Sequence, residues 1–234
     1  MKRAIRNIFD RLDRAVGPRG WWPGQTRDEI IIGAVLTQNT AWRNVERAIA
    51  SLKGRDLLSL AKLARRAPER IAPLIVPAGY FNLKARRLRA VAGFFAPGGR
   101  ERFDEFEAWP MERLRDELLG VWGVGPETAD SILLYALDRL TFVVDAYTIR
   151  IASRHGLCGE KATYEETRRL FSDAVPSELQ SFNEAHAQLV WVGHHFCKPK
   201  PRCGECPLSR RDCYATGEAW ARMAPARRDG RTAE

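Results

Sequence analysis

Apolar residues recur along most of the chain with the spacing of amphipathic helices. Ile5, Ile8, Phe9, Leu12 and Val16 fall on one stripe near the N-terminus, the pattern of a helix packed on one face. Thr26 followed by Glu29 resembles a capping box and opens an apolar run through Ile30, Ile31, Ala34 and Val35. The same period predicts helices over Trp42–Leu52, Lys84–Phe95, Met111–Leu119, Pro126–Leu137, Ala146–Arg154, Tyr164–Ala174 and Asn183–Gly193, with shorter ones over Leu57–Ala64 and Pro68–Ile75. Thr141–Val144 is β-branched and apolar but only four residues long, and reads as a buried connector. No internal repeat is visible. An all-α fold follows.

The 234 residues are 45% hydrophobic, enough to bury a core as one domain or two small ones. The formal net charge of +9 suits a polyanionic partner, usually nucleic acid, although basic solvated faces would give the same figure. Lys and Arg are spread along the chain, so any phosphate-binding surface must be assembled by folding. No apolar run approaches the roughly 18 residues of a membrane span, and no signal-like segment follows the charged N-terminus. A cytoplasmic, nucleoid-associated protein is expected. The Arg-rich segment after Cys213 is expected to end in a disordered tail over residues 220–234.

Two motifs carry chemistry. In Leu118–Ala129, LLGVWGVGPETA, a helix ends, Gly123-Val124-Gly125 turns the chain, and Pro126 starts a new helix, where its missing N–H costs nothing. Glycines allow the tight turn and leave no side chain between backbone and ligand. The exposed N–H groups can then hold an anion, such as a DNA phosphate; a plain helix–helix turn would look the same. Twenty residues beyond Gly125 stands Asp145, at the start of the helix from Ala146. A carboxylate there is either a simple cap or an ionised group held beside a reacting sugar. Breaking an N-glycosidic bond builds positive charge on C1′, which a fixed carboxylate stabilises while orienting water.

Cys197-x5-Cys203-x2-Cys206-x6-Cys213 puts four of the five cysteines into 17 residues. Only Cys203 and Cys206 form the close pair typical of zinc sites. One compact irregular loop suits a [4Fe-4S] cluster, with zinc as the alternative. Cys158 reads as an ordinary buried thiol. Between the first two ligands, Lys198-Pro199-Lys200-Pro201-Arg202 forms a stiff basic finger. His194 and His195 precede the loop and suit packing or phosphate contact, since four thiolates already complete a ligand set.

From Thr26 to Cys213 these residues resemble the endonuclease III family of DNA glycosylases, helix-hairpin-helix proteins with a Gly/Pro-rich turn followed by an essential Asp. Leu36-Thr37-Gln38-Asn39-Thr40 resembles the family motif whose Gln reaches the flipped nucleotide, here Gln38. Gly79-Tyr80-Phe81-Asn82-Leu83-Lys84-Ala85 resembles its wedge-bearing turn. The resemblance implies Asp145 as the catalytic Asp, Gln38 and Glu127 beside the pocket, and DNA contacts from Gly123, Val124, Gly125, Gln38, Tyr80, Phe81, Lys84, Lys198, Lys200 and Arg202. It also implies a [4Fe-4S] cluster on Cys197, Cys203, Cys206 and Cys213, although the family's middle pair sits one residue later. The main departure is Glu127, where bifunctional members carry the lysine that forms a Schiff base. Glutamate cannot form an imine, so hydrolysis by water is implied; Lys84 is the nearest alternative amine. Gly125-Pro126-Glu127-Thr128-Ala129-Asp130-Ser131 resembles the endonuclease III-related group that contains a 3-methyladenine glycosylase.

The expected architecture is two helical domains, 27–139 and 1–26 plus 140–234, with a DNA-binding cleft between them. The expected activity is monofunctional excision of a damaged base, an alkylated purine by preference, from double-stranded DNA by a monomer that flips the nucleotide. Trp21, Trp22, Trp42 and Trp122 are candidates for a stacking wall. The alternatives are a bifunctional glycosylase/lyase, a non-catalytic damaged-DNA binder and an electron-transfer iron–sulfur protein.

Overall fold

A computed structural model describes residues 1–20, 24–159 and 161–209. Cys213, Trp21, Trp22 and the tail over 220–234 lie outside the described residues. Those described are helical and contain no strand. Thr141–Val144 is a connector of irregular backbone, buried throughout. No helix among them is long and apolar enough to cross a membrane.

The chain divides into two compact units, one of Gly20–Val143 with Val175–Ala187, the other of Met1–Arg19 and Val144–Ala174 with the chain from Gln188 onward. The larger unit contains α2 (Arg27–Leu36), α3 (Trp42–Gly54), α4 (Leu60–Leu63), α5 (Pro68–Ile71), α6 (Phe81–Phe95), α7 (Phe103–Glu107), α8 (Met111–Gly120) and α9 (Pro126–Ala136). Most of α2 is buried, Glu29 and every residue from Ile31 to Leu36, and it packs against α9, α3 and α6. Such all-round burial marks the central helix of a bundle. Thr26 caps it by accepting from Glu29 N at 3.2 Å. The capping box is shifted by one residue, because Glu29 Oε2 accepts from Gln25 N and its Oε1 meets Lys53 Nζ at 2.9 Å. Phe94, Phe95, Phe103, Phe106 and Trp109 stack and cross edge-to-face in one aromatic cluster, a geometry aromatic rings favour.

The smaller unit contains α1 (Lys2–Ala15), α10 (Ala146–Arg154) and α11 (Tyr164–Ser172). α1 buries Ile5, Ile8 and Leu12, as its stripe predicts, and Phe9 meets Phe171 edge-on. Arg6 donates to Ala174 O and Arg11 to Pro207 O. α11 opens on a complete capping box of Thr163 and Glu166. The last helix, α12 (Leu179–His195), contributes residues to both units.

Candidate active site

The glycine turn is built by the ends of α8 and α9. Gly123 has φ +86, which an L-residue rarely adopts. A Cβ there would lie 2.4 Å from Arg87 Cγ, so the space above this glycine is filled by an arginine stem and does not lie open to a ligand. At Gly125, by contrast, an added Cβ meets nothing within 4 Å. Gly125 is the N-cap of α9, and the exposed N-terminus of that helix follows, where N–H groups lack intrahelical partners. Below the turn, α8 and α9 are bolted together by Arg115, whose Nε and Nη2 bond Asp130 Oδ1 and Oδ2 at 2.8 and 3.0 Å. Thr141 Oγ1 donates to the same Oδ1 at 3.0 Å, tying in the connector.

Gln38 stands just past the end of α2 and reaches the turn. Its Nε2 donates to Gly123 O at 3.1 Å and Thr128 Oγ1 at 2.9 Å, while its Oε1 accepts from Arg87 Nη1. Both ends of the amide are thus engaged within the protein. Gly79 and Tyr80 both have positive φ, and Tyr80, the N-cap of α6, is 70% exposed. Phe81 beside it is also exposed. Trp122 projects from the glycine turn with Arg86 over its ring, while Trp42 is half-buried and donates to Glu46.

Lys84 corrects an expectation. It is 1% exposed, and its Nζ donates to Leu36 O at 2.8 Å and Ala78 O at 2.7 Å. An ammonium so enclosed faces no solvent and cannot hold a DNA phosphate or attack a sugar from where it lies. Burial, and after it the charge of Arg87, lowers its pKa to about 8. Glu127 is exposed in the first turn of α9, where a carboxylate complements the helix dipole.

In the smaller unit Asp145 is the N-cap of α10. Its Oδ1 accepts from Thr148 N at 2.7 Å and Thr148 Oγ1 at 2.8 Å. Val144 before it is buried, and Asp145 itself is half-exposed. The cap reading is therefore realised, and it fixes the carboxylate's rotamer as well.

Cys197, Cys203 and Cys206 line one small pocket with Ile151, His155, Val192 and Phe196. Arg154, itself buried, donates to Cys197 Sγ at 3.3 Å, to Lys198 O at 2.7 Å and to Pro199 O at 3.1 Å. Arg150 Nε holds Cys197 O at 2.6 Å. Burial, then the neighbouring Cys197, pushes the Cys203 thiol up, while Arg154 pulls it down. Among the described residues no three His, Cys, Asp or Glu side chains converge as a ready metal-ligand group. Lys198, Lys200 and Arg202 are exposed, with Arg202 paired to Glu205. His194 and His195 are also exposed, and His195 Nδ1 lies 2.9 Å from Trp191 O.

Reasoning from sequence missed Arg115, Asp130, Arg87 and Arg154 as organising residues. For Asp130 the signal was its helical phase, one turn before the buried Leu133 and Leu134.

Residues 32–177 match the family model described as HhH-GPD superfamily base excision DNA repair protein. The chain is 47% identical to the "putative DNA repair glycosylase" of Methanocaldococcus jannaschii over 87% of its own length and 93% of that protein's. It is 30% identical to endonuclease III of Thermotoga maritima, over 76% and 79% of the two chains. Among solved structures, the H. pylori 3-methyladenine DNA glycosylase bound to 1,N6-ethenoadenine matches with a TM-score of 0.65 and 27% identity, over 81% of this chain and 93% of that one. A non-covalent endonuclease III–DNA complex matches in fold with a TM-score of 0.76 and 21% identity, over 96% and 99%. The chain belongs to the HhH-GPD superfamily of base excision DNA repair proteins and is a DNA glycosylase of that family.

Proposed function

We propose that this glycosylase is monofunctional: it extrudes a damaged base, by preference an alkylated purine, from duplex DNA as a monomer and releases it by hydrolysis. The observation that carries this reading is Glu127, exposed in the first turn of α9 just past the glycine turn, where a lyase would need an amine. The other amine in a motif, Lys84, is enclosed and bonded to two carbonyls. The likeness to the 3-methyladenine glycosylase, at 27% identity over most of both chains, supports the choice of substrate.

The Gly125 end of α9 would hold a backbone phosphate with its N–H groups. Tyr80 would occupy the gap left by the extruded nucleotide, with Gln38 beside it. Asp145, its rotamer held by two bonds from Thr148, would balance the charge that develops on C1′. It would also take a proton from the attacking water as the C1′–N bond breaks and the base leaves.

The cysteine loop would hold a [4Fe-4S] cluster on Cys197, Cys203, Cys206 and Cys213. The fit rests on Cys197, Cys203 and Cys206 lining one pocket, with a guanidinium donating to Cys197 Sγ; a cation beside sulfur favours the thiolate form that a cluster needs. When bound, the cluster would supply cross-linking of the loop, with no part in hydrolysis. Arg154 and Arg150 grip the backbone of the same loop, so Lys198 and Lys200 would be presented to phosphates from a stiff base.

The test is a set of duplexes, each with one modified base, assayed for free base release, with alkali added afterwards to cut abasic products. Release from alkylated purines, with strand breaks only after alkali and no borohydride-trapped adduct, is expected. Strand breaks without alkali, or a trapped adduct, would refute the monofunctional reading.

A further inference from the structure

One face of α6 fastens three segments that the proposed function assigns to DNA. Lys84 and Arg87 stand one helical turn apart, so their side chains leave the helix on the same side. Lys84 Nζ bonds Leu36 O and Ala78 O at 2.8 and 2.7 Å. Leu36 ends α2 two residues before Gln38, and Ala78 stands two residues before Tyr80. Arg87 gives Nη1 to Gln38 Oε1, and its stem fills the space over Gly123. The far end of the Gln38 amide closes the loop on Gly123 O and Thr128 Oγ1.

This arrangement is costly for a core. Enclosing an ammonium on neutral carbonyls is less favourable than filling the same volume with Leu or Met. Arg87 Nε is buried with no hydrogen-bond partner among the described residues, which is unfavourable for a polar group taken out of water. Both turns that Lys84 ties carry non-glycine residues in the left-handed region, Asn39 at φ 53 and Tyr80 at φ 45. Strained backbone persists only where its surroundings over-determine it, and the Lys84 bonds do so from inside.

We propose that Lys84 and Arg87 are positioning residues, which set the Gln38 turn, the Tyr80 turn and the glycine turn as one preformed head for sensing a gap in the duplex, without ligating phosphate themselves. This inference rests on the reading of the protein as a base-flipping glycosylase. It predicts a loss of discrimination with no loss of general DNA affinity.

The full chain is tested as wild type, Lys84→Met, Arg87→Met, Gln38→Ala and the Arg87→Met/Gln38→Ala double variant. Equilibrium binding is measured across salt concentrations on a duplex carrying a tetrahydrofuran abasic analogue and on the same duplex intact. Lys84→Met is expected to reduce the preference for the abasic duplex about tenfold. Affinity for the intact duplex, and the slope of log K against log salt on both, should stay at wild-type values. Arg87→Met should shift the preference in the same direction, and adding it to Gln38→Ala should lower the preference no further, because it acts through that side chain. A preference unchanged in folded Lys84→Met and Arg87→Met overturns the proposal. So does a salt slope reduced by about 0.9, the signature of one lost phosphate contact, or full additivity of Arg87→Met with Gln38→Ala. If Lys84→Met does not fold, the half-buried Arg87 decides the matter alone. A wild-type protein with no preference for the abasic duplex refutes the base-flipping reading of the proposed function, and this inference falls with it.

Discussion

Arg115 and Asp130 meet in a two-pronged ion pair beneath the glycine turn, with Asp130 fully enclosed and Thr141 adding a third bond to the same carboxylate. The pair joins the helix entering the turn to the helix leaving it. Arg115→Met removes the guanidinium that faces a buried carboxylate, and a loss of about 3–5 kcal/mol is expected in urea denaturation. The double change Arg115→Met/Asp130→Leu should recover part of that loss, since no lone charge remains. Equal or greater loss in the double variant would show that the two groups do not act as a pair.

Asp145 both caps α10 and, in the proposed mechanism, faces the sugar. Asn caps a helix about as well as Asp. Asp145→Asn should therefore keep stability within about 0.5 kcal/mol while base release falls at least about 100-fold. Asp145→Ala should lose the cap too, at about 1 kcal/mol. Undiminished base release by Asp145→Asn would remove this carboxylate from the chemistry.

Glu127 offers a gain-of-function experiment. Lysine in the exposed first turn of α9 loses a favourable dipole interaction, at a cost of about 0.5 kcal/mol, so Glu127→Lys should fold. Borohydride in the presence of abasic duplex should trap a covalent complex with this variant and none with wild type. A wild-type adduct would point to another amine as nucleophile.

The depressed Lys84 pKa, about 8 against an ordinary 10.5, has a definite sign in stability. Between these values the unfolded chain binds the proton and the folded chain does not, so the folded state gains stability as pH rises through that window. Relative to Lys84→Met, the wild type should gain up to about 3 kcal/mol between pH 8 and 10.5, with no divergence below pH 7. Parallel curves from urea melts across this range would show that the ammonium titrates at its ordinary value.

Much of the architecture was legible from periodicity. The helix expected over Ala146–Arg154 has those bounds, because Asp145 supplies a strong start signal and Gly156 lies just beyond its end. Where one expected element shrank, as Leu57–Ala64 did to Leu60–Leu63, Ser59 caps the helix inside the apolar run. α7 went unseen because five residues carry too little period to read. The family resemblance implied a DNA contact for Lys84, yet with Leu88, Val91 and Phe95 it occupies one buried stripe. Its phase along α6 was the better guide. The engagement of Gln38 by Arg87 and the glycine turn joins residues distant in sequence, and no local pattern announces such a meeting.

Among the described residues, three of the four non-glycine residues at positive φ are Asn or Asp, types that tolerate it; the fourth is Tyr80, solvent-facing and aromatic. Its backbone would relax by about 1–3 kcal/mol were the position Gly or Asn, and a greasy ring would leave the surface. Such a replacement should raise the melting temperature and improve solubility while blunting the search for damage. Screens that score variants by thermal shift or expression yield would rank it an improvement, so harmful alleles at this position would pass as benign unless assayed on DNA.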